Sequence, residues 1–204
     1  MRDVVLVSGL WVPAAGMALV AARLRANGFA PRVFAYYGRA PLGSNIARLA
    51  RFARAGRTGE APHFVGHSLG GVLVFDMLSA FPDVAAGRVV LLGSPVRGSL
   101  AGRRLARYAA GRWLLGASGS RWEQRTAAWR RPEALGVIAG TLPLGLGRLL
   151  GRLPGQNDGV VSLEETAVEG MTDRALVRQG HSTLAFSSQV ADLARRFLLT
   201  GRFA

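Results

Sequence analysis

The chain has 204 residues, of which 50% are hydrophobic and 19% charged, values that suit one compact domain and exclude wholesale disorder. It has no cysteine, which excludes disulfides, thiolate zinc sites, iron–sulfur clusters and a cysteine nucleophile. The net charge is +14 and all 26 basic residues are arginine, which indicates either an anionic partner or a GC-rich genome. No nucleic-acid recognition motif accompanies the charge, so we expect no nucleic acid partner.

An uncharged stretch at 4–22 is long enough by count to cross a bilayer. Its first part is a β-branched run that stops at Gly9, which is typical of a buried parallel strand. Pro13 and Gly16 then interrupt the stretch, and a helical periodicity begins only at Met17. The pattern predicts a strand, a loop and a helix rather than a spanning helix or a secretory signal, and the cytoplasm is the expected compartment.

Short apolar runs alternate with helical periodicities along the chain. The predicted strands are 4–7, 32–37, 63–66, 88–92, 134–139 and 174–178. The predicted helices run from Met17 to a stop at Gly28, from a capping Ser44 to about Ala55, and over 69–80 and 183–199. This alternation predicts one α/β domain over 1–204, with a mostly parallel sheet and helices on both faces.

Two segments interrupt the alternation. The segment 97–132 carries three of the four tryptophans and nine arginines against one acid, Glu123, a net charge of +8. The segment 142–156 is rich in glycine and leucine. Because long segments outside the sheet commonly form lids or binding walls, we expect a lid-like insertion at about 97–132.

A G-x-S-x-G pentapeptide occupies 66–70, where a predicted strand runs directly into a predicted helix. This is the context of a nucleophile elbow, a strained turn that holds a serine hydroxyl clear of the backbone, here that of Ser68. Its glycines are expected because a Cβ would collide with the neighbouring strand and helix. The alternative is an ordinary strand–helix turn with glycine for packing.

A serine hydroxyl needs a base, and the chain has three histidines. The side chain of His67 is expected to point away from the site, and His63 lies at the start of a strand. His181 follows the last strand and can reach Ser68 across the top of the sheet, so we predict it as the base. The alternative is an ordinary helix-entry residue, with Ser182 as the helix cap.

The acid that orients the base is predicted to be Asp158, which lies in a turn after the fifth strand. A simple Asp-Gly turn is the alternative explanation for this residue. Glu164 and Glu165 remain possible acids. The other acids between Ser68 and His181 lie in a helix, in the insertion or at the wrong end of a strand: Asp76, Asp83, Glu123, Glu133 and Asp173.

Four segments, 5–11, 66–71, 157–161 and 180–182, together resemble the α/β-hydrolases of the small bacterial lipase/esterase type. The resemblance extends over nearly the whole chain and preserves the order serine, acid, histidine. It implies an α/β-hydrolase fold of about six strands in the order 2-1-3-4-5-6, without the first two strands of larger members.

The resemblance also implies an oxyanion hole made by the backbone N–H groups of Leu69 and Leu10. Trp11 is the alternative donor in the loop after the first strand, and we also expect it to contact substrate. The family usually has His-Gly in this loop, whereas this chain has Ser8 and Gly9. No metal or organic cofactor is implied.

These features predict a serine hydrolase that cleaves small-molecule esters with a hydrophobic acyl group, because both insertions are rich in Leu or Trp. The same groups would also serve a thioesterase or an acyltransferase, and a non-catalytic scaffold that binds an acyl chain or a partner is a further alternative. The sequence leaves the acyl length and the oligomeric state open.

The insertion itself suggests a second partner. Arg103, Arg104 and Arg107 recur on one helical side among apolar residues, which is typical of a helix that contacts anionic lipid. A solvated charged helix packed on the sheet edge is the alternative.

Overall fold

A computed structural model describes residues 1–10, 14–38, 40–56, 59–116, 122–144 and 151–204. The strands are β1 Arg2–Val7, β2 Phe29–Phe34, β3 His63–His67, β4 Val89–Leu92, β5 Leu135–Gly140 and β6 Asp173–Val177. The helices are α1 Ala18–Arg25, α2 Leu42–Arg54, α3 Leu69–Ala80, α4 Leu100–Leu105, α5 Ala109–Leu115 and α6 Ser188–Thr200. All neighbouring strands pair in parallel in the order β2-β1-β3-β4-β5-β6, which confirms the predicted fold class and strand order.

Three predicted boundaries are wrong. The helix predicted to start at a capping Ser44 is α2, which begins at Leu42 after Pro41, so Ser44 lies inside it. The second strand is Phe29–Phe34 rather than 32–37, because it pairs with β1, and that ladder ends where Val7 lies opposite Phe34. This is an edge strand, where Pro31 is tolerated. The last helix does not start at 183, because a short 3₁₀ helix, Ser182–Phe186, comes first, and Ser187 then caps α6 by accepting a hydrogen bond from the Val190 N–H.

The four central strands, β1, β3, β4 and β5, are buried on both faces of the sheet, where successive side chains point in opposite directions. Val5, Val7 and Phe64 belong to the apolar cluster that includes α2 and α3. Val4 and Leu6 belong to the cluster on the other face, which includes α1 and α6. Each fully buried side chain of this size contributes about 1.5–3 kcal/mol, so the two clusters fix the sheet between its helices.

The insertion after β4 is closed at its base by backbone hydrogen bonds. The Arg125 N–H donates to the Arg97 carbonyl oxygen at 3.0 Å, and the Ser99 N–H donates to the Trp122 carbonyl oxygen at 3.0 Å. The helices α4 and α5 lie within this closed segment. Beyond Arg125 the chain passes along the body of the protein, where Trp129 is buried. The backbone hydrogen bonds at the base therefore bring together the two ends of 97–125, within the predicted insertion.

Parallel pairing brings the carboxyl ends of all six strands to one edge of the sheet, which we call the carboxyl edge. In open α/β sheets, ligands bind outside this edge. No helix in the described ranges has the length and apolar character needed to cross a membrane.

Candidate active site

Ser68 follows β3 directly and stands at the carboxyl edge. Its backbone has φ 53° and ψ −127°, and no other non-glycine residue of the described ranges has a positive φ. Such a conformation costs about 1–3 kcal/mol and persists only where the surrounding structure imposes it. The chain reverses here from β3 into α3, as the nucleophile-elbow prediction requires.

Glycines on both sides of Ser68 allow this turn. A Cβ at Gly66 would collide with the backbone of Gly71 at the start of α3, and a Cβ at Gly70 would collide with the carbonyl oxygen of Val7 at the end of β1. The helix therefore packs directly on the strand ends, which is the reason the sequence analysis gave for these glycines. The first residue of α3 is Leu69.

His181 contacts both of the other residues predicted for the site. Its Nε2 lies 2.9 Å from Ser68 Oγ, and its Nδ1 lies 2.7 Å from Asp158 Oδ2. Because a carboxylate only accepts hydrogen bonds, Nδ1 carries the proton and Nε2 is left to accept from the serine hydroxyl. The three residues predicted from the sequence are thus in direct contact, although they are far apart in the chain.

Asp158 is held by the turn in which it lies. Its Oδ1 accepts hydrogen bonds from the N–H groups of Val160 and Val161, at 3.0 and 2.7 Å. Its backbone carbonyl accepts the His181 N–H at 2.8 Å. The carboxylate is buried, so these donors take the place of water and leave Oδ2 directed at His181. Asp158 therefore lies in an Asp-Gly turn and also contacts the predicted base.

The loop after β1 lies beside the serine. A Cβ at Gly9 would stand 2.9 Å from Ser68 Cβ, so Gly9 allows the loop to approach the nucleophile. Leu10 follows in this loop and is partly buried. Leu69, the other residue predicted for the oxyanion hole, is at the first position of α3, where a backbone N–H has no intrahelical acceptor. Trp11 lies outside the described residues.

His67 contacts the site, contrary to the expectation that its side chain points elsewhere. Its Nε2 donates to the carbonyl oxygen of His181 at 3.0 Å, and the two rings are 5.1 Å apart. The ring is fully buried, and its Nδ1 has no hydrogen-bond partner among the described residues. Burial, together with the nearby His181, lowers the pKa of His67 to about 3, so the ring is neutral near pH 7.

Gly93, which directly follows β4, is a second residue whose part in the site the sequence did not indicate. Its φ is 53°, and a Cβ at this position would stand 3.1 Å from Asp158 Oδ2 and would collide with Leu184. A side chain would therefore press on the Asp158–His181 pair. His67 and Gly93 both lie at the carboxyl end of a strand, next to the nucleophile. This position is the feature of the sequence that could have indicated their part in the site.

The two glutamates considered as alternative acids do not contact His181. Glu165 Oε1 accepts from the Leu100 N–H at 2.5 Å, and Oε2 accepts from the Ser162 N–H at 2.7 Å. Its carboxylate thus ties the segment after Asp158 to the first turn of α4. Glu164 is exposed. Within the described ranges, no group of three or more histidine, aspartate or glutamate side chains is arranged to hold a metal ion.

The fold and this arrangement of serine, histidine and aspartate define the class of protein. The sequence profile of the alpha/beta hydrolase family matches residues 4–199, so the chain belongs to this family. A search of curated protein sequences gave no match.

Solved structures with the same fold include hydrolases of several kinds. The mature Bacillus licheniformis lipase BlEst2 is 19% identical with a TM-score of 0.73, over 97% of this chain and 90% of that one. The metagenomic carboxyl esterase MGS0156 is 20% identical with a TM-score of 0.65, over 97% and 73%. A pyrethroid hydrolase from Sphingobium faniae JZ-2 is 12% identical with a TM-score of 0.62, over 98% of both chains. At these identities the likeness shows the fold.

Proposed function

We propose that this protein is a serine hydrolase that cleaves carboxylic esters with a hydrophobic acyl group through an acyl-enzyme intermediate. The observation that carries the proposal is the hydrogen-bonded series from Ser68 Oγ through His181 to Asp158, with distances of 2.9 and 2.7 Å. Membership of the alpha/beta hydrolase family, and a lipase and a carboxyl esterase among the proteins with the same fold, support it.

In the first half of the reaction, Ser68 Oγ attacks the ester carbonyl carbon while its proton passes to His181 Nε2. Asp158 Oδ2 accepts the Nδ1–H of the resulting imidazolium and stabilises its charge. The carbonyl oxygen becomes an oxyanion, which accepts hydrogen bonds from the backbone N–H groups of Leu69 and Leu10, each worth about 3 kcal/mol. The C–O bond then breaks, and His181 Nε2–H protonates the departing alcohol.

In the second half, water attacks the acyl carbon on Ser68 Oγ and gives a proton to His181 Nε2. Collapse of this second oxyanion breaks the bond to Ser68 Oγ, which regains its proton from His181, and the carboxylic acid leaves. When a thioester is the substrate, the leaving group is a thiol instead of an alcohol; when the acyl group is transferred, another alcohol replaces water as the acceptor. A thioesterase and an acyltransferase are therefore the alternatives within the same chemistry.

A non-catalytic scaffold that binds an acyl chain is the alternative from another class. A scaffold has no need to keep Ser68 in a strained conformation, with a base and an acid aligned behind it. The energy stored in the turn is better explained by a hydroxyl that must stand clear of the backbone. This favours the enzyme.

The proposal is tested with p-nitrophenyl esters from acetate to palmitate. We expect turnover by the wild type, with a preference for an acyl chain longer than acetyl, and a loss of about 10³-fold or more in kcat for Ser68→Ala and for His181→Ala. Asp158→Asn should lose less, because the acid is the most dispensable of the three residues. Turnover at the wild-type rate by a folded Ser68→Ala variant would contradict the proposal. If Asp158→Asn is fully active, Glu164 and Glu165 are substituted next and assayed in the same way.

A further inference from the structure

The exposed large apolar side chains are unevenly distributed. Among the described residues, seven of them are exposed by half or more, and five of the seven lie in segments that follow the carboxyl ends of strands. These five are Tyr37 (73%) after β2, Tyr108 (64%) and Trp113 (61%) after β4, Leu144 (55%) after β5 and Phe186 (54%) after β6. Ser68 follows β3 in the same way, so these exposed apolar groups lie in connections that leave the edge where the candidate active site is.

Two of these residues are directly connected to the candidate site. A Cβ at Gly180 would stand 3.0 Å from the carbonyl oxygen of Leu144, so the Leu144 backbone passes beside the loop that carries His181. Phe186 ends the 3₁₀ helix that begins immediately after His181. The apolar groups are therefore not a remote patch.

Positive charge accompanies the apolar groups. From 97 to 116 the chain has five arginines and no acidic residue. Two acids of the following loop are engaged elsewhere, because Asp158 is buried against His181 and Glu165 accepts from the first residue of α4. Glu123 in the insertion and Glu164 in that loop are exposed, so the five arginines of 97–116 outnumber the exposed acids near them.

The helices α4 and α5 show which arginines are available. Arg103 donates to the Trp122 carbonyl oxygen and Arg104 donates to the Arg152 carbonyl oxygen, so both help to fix the insertion. Arg107 is exposed, and its guanidinium has no hydrogen bond or ion pair with another described residue. Arg112 remains exposed, although its Nη1 donates to the carbonyl oxygens of Ala106 and Arg107. We call the exposed residues Arg107, Tyr108, Arg112 and Trp113 the basic aromatic patch.

We propose that the carboxyl edge docks on an anionic lipid membrane, with the basic aromatic patch as its main contact. Tyrosine and tryptophan rings prefer the interface between headgroups and acyl chains, and arginines beside them bind anionic headgroups. Nucleic acid would also attract the arginines, but it gives no reason for exposed Leu144 and Phe186. A protein docked in this way presents Ser68 to the membrane. Such an orientation would serve the proposed ester hydrolysis, on which this part of the inference rests, whereas the membrane binding itself does not depend on hydrolysis.

Binding is measured by co-sedimentation with two kinds of vesicle, one of phosphatidylcholine alone and one that also contains roughly 30–40% phosphatidylglycerol. At such an anionic surface, each contacting arginine raises the affinity of the protein by about fivefold. We expect binding to the anionic vesicles only, and its loss in high salt. Trp113 is also a reporter, because its emission should shift to shorter wavelength on binding, and Trp113→Phe should abolish that shift. The Ser68→Ala variant should bind as the wild type does, so a failure of the hydrolase proposal leaves this result unchanged.

A matched pair of variants locates the contact. Arg107→Gln/Trp113→Ser should weaken binding by about tenfold or more and leave turnover of a short soluble ester unchanged. Arg51→Gln/Leu176→Ser removes one exposed arginine on α2 and one exposed apolar group on the edge strand β6, both outside the basic aromatic patch, and it should bind as the wild type does. The proposal is overturned if the two variants bind equally well, or if the wild type binds neutral and anionic vesicles equally. It is also overturned if the protein binds no vesicles, or binds nucleic acid instead.

Discussion

His67 is adjacent to Ser68 in the chain and to His181 in space. Its Nε2–H holds the carbonyl oxygen of His181, so it acts on the proposed base through the backbone, as a positioning residue. We expect His67→Leu to lower kcat by about 10–100-fold with KM little changed, because a displacement of the base well under 1 Å is costly. His67→Gln supplies an amide donor and should recover part of the loss. Lower thermal stability with unchanged kcat in both variants would instead mean that His67 only fills space.

The same residue makes stability depend on pH. Burial lowers the pKa of His67 to about 3, whereas in the unfolded chain it has the ordinary value of about 6.5. Below pH 6.5 the unfolded state therefore binds the extra proton, and the free energy of unfolding falls by up to about 1.4 kcal/mol per pH unit until the folded pKa is reached. Burial also lowers the pKa of His63, which adds a smaller loss in the same direction.

Urea unfolding at pH 7 and pH 4.5 measures this effect. The loss of stability between the two pH values should be about 2–3 kcal/mol greater for the wild type than for His67→Gln, which retains His63. Parallel losses in the two proteins would show that His67 is not held neutral by the fold.

At the scale of the elements, the strands and the elbow could be predicted from the sequence because their signals are local. Apolar runs that end at glycine indicate buried strands, and the pentapeptide at 66–70 is fixed by its own sterics. The second strand was misplaced because its end depends on where β1 stops, which is a property of the pairing. The contact of His67 with His181 could not be predicted either, because it joins residues from two strand ends that lie on opposite sides of β4 and β5.

The insertion is joined to the body of the protein by a contact that the sequence did not indicate. Arg125 Nη1 donates to Asp76 Oδ1 of α3 at 2.8 Å, and its Nε donates to the Val96 carbonyl oxygen at 2.7 Å. Arg125→Met should lower the free energy of unfolding by about 3 kcal/mol, because it leaves the buried Asp76 without this guanidinium. Arg125→Met/Asp76→Leu should recover much of that loss in chemical denaturation. Equal destabilisation of the single and double variants would show that the ion pair is not the cause.

At the scale of the whole molecule, the parallel sheet determines where chemistry and contacts occur. All six strands end at one edge, so Ser68, Asp158 and His181 meet there from three different segments of the chain. The insertion and the exposed apolar groups follow strand ends at the same edge. Substrate supply and catalysis are thereby proposed for one side of the protein.

The central claim is that Ser68 is a nucleophile activated by His181, and covalent labelling tests it most directly. The protein is treated with a p-nitrophenyl alkylphosphonate, digested and analysed by mass spectrometry. We expect one phosphonyl group per chain, attached to Ser68, and labelling slowed by about 10³-fold or more in His181→Ala. A label on another residue of the folded protein, or labelling of Ser68 that is equally fast without His181, would contradict the account.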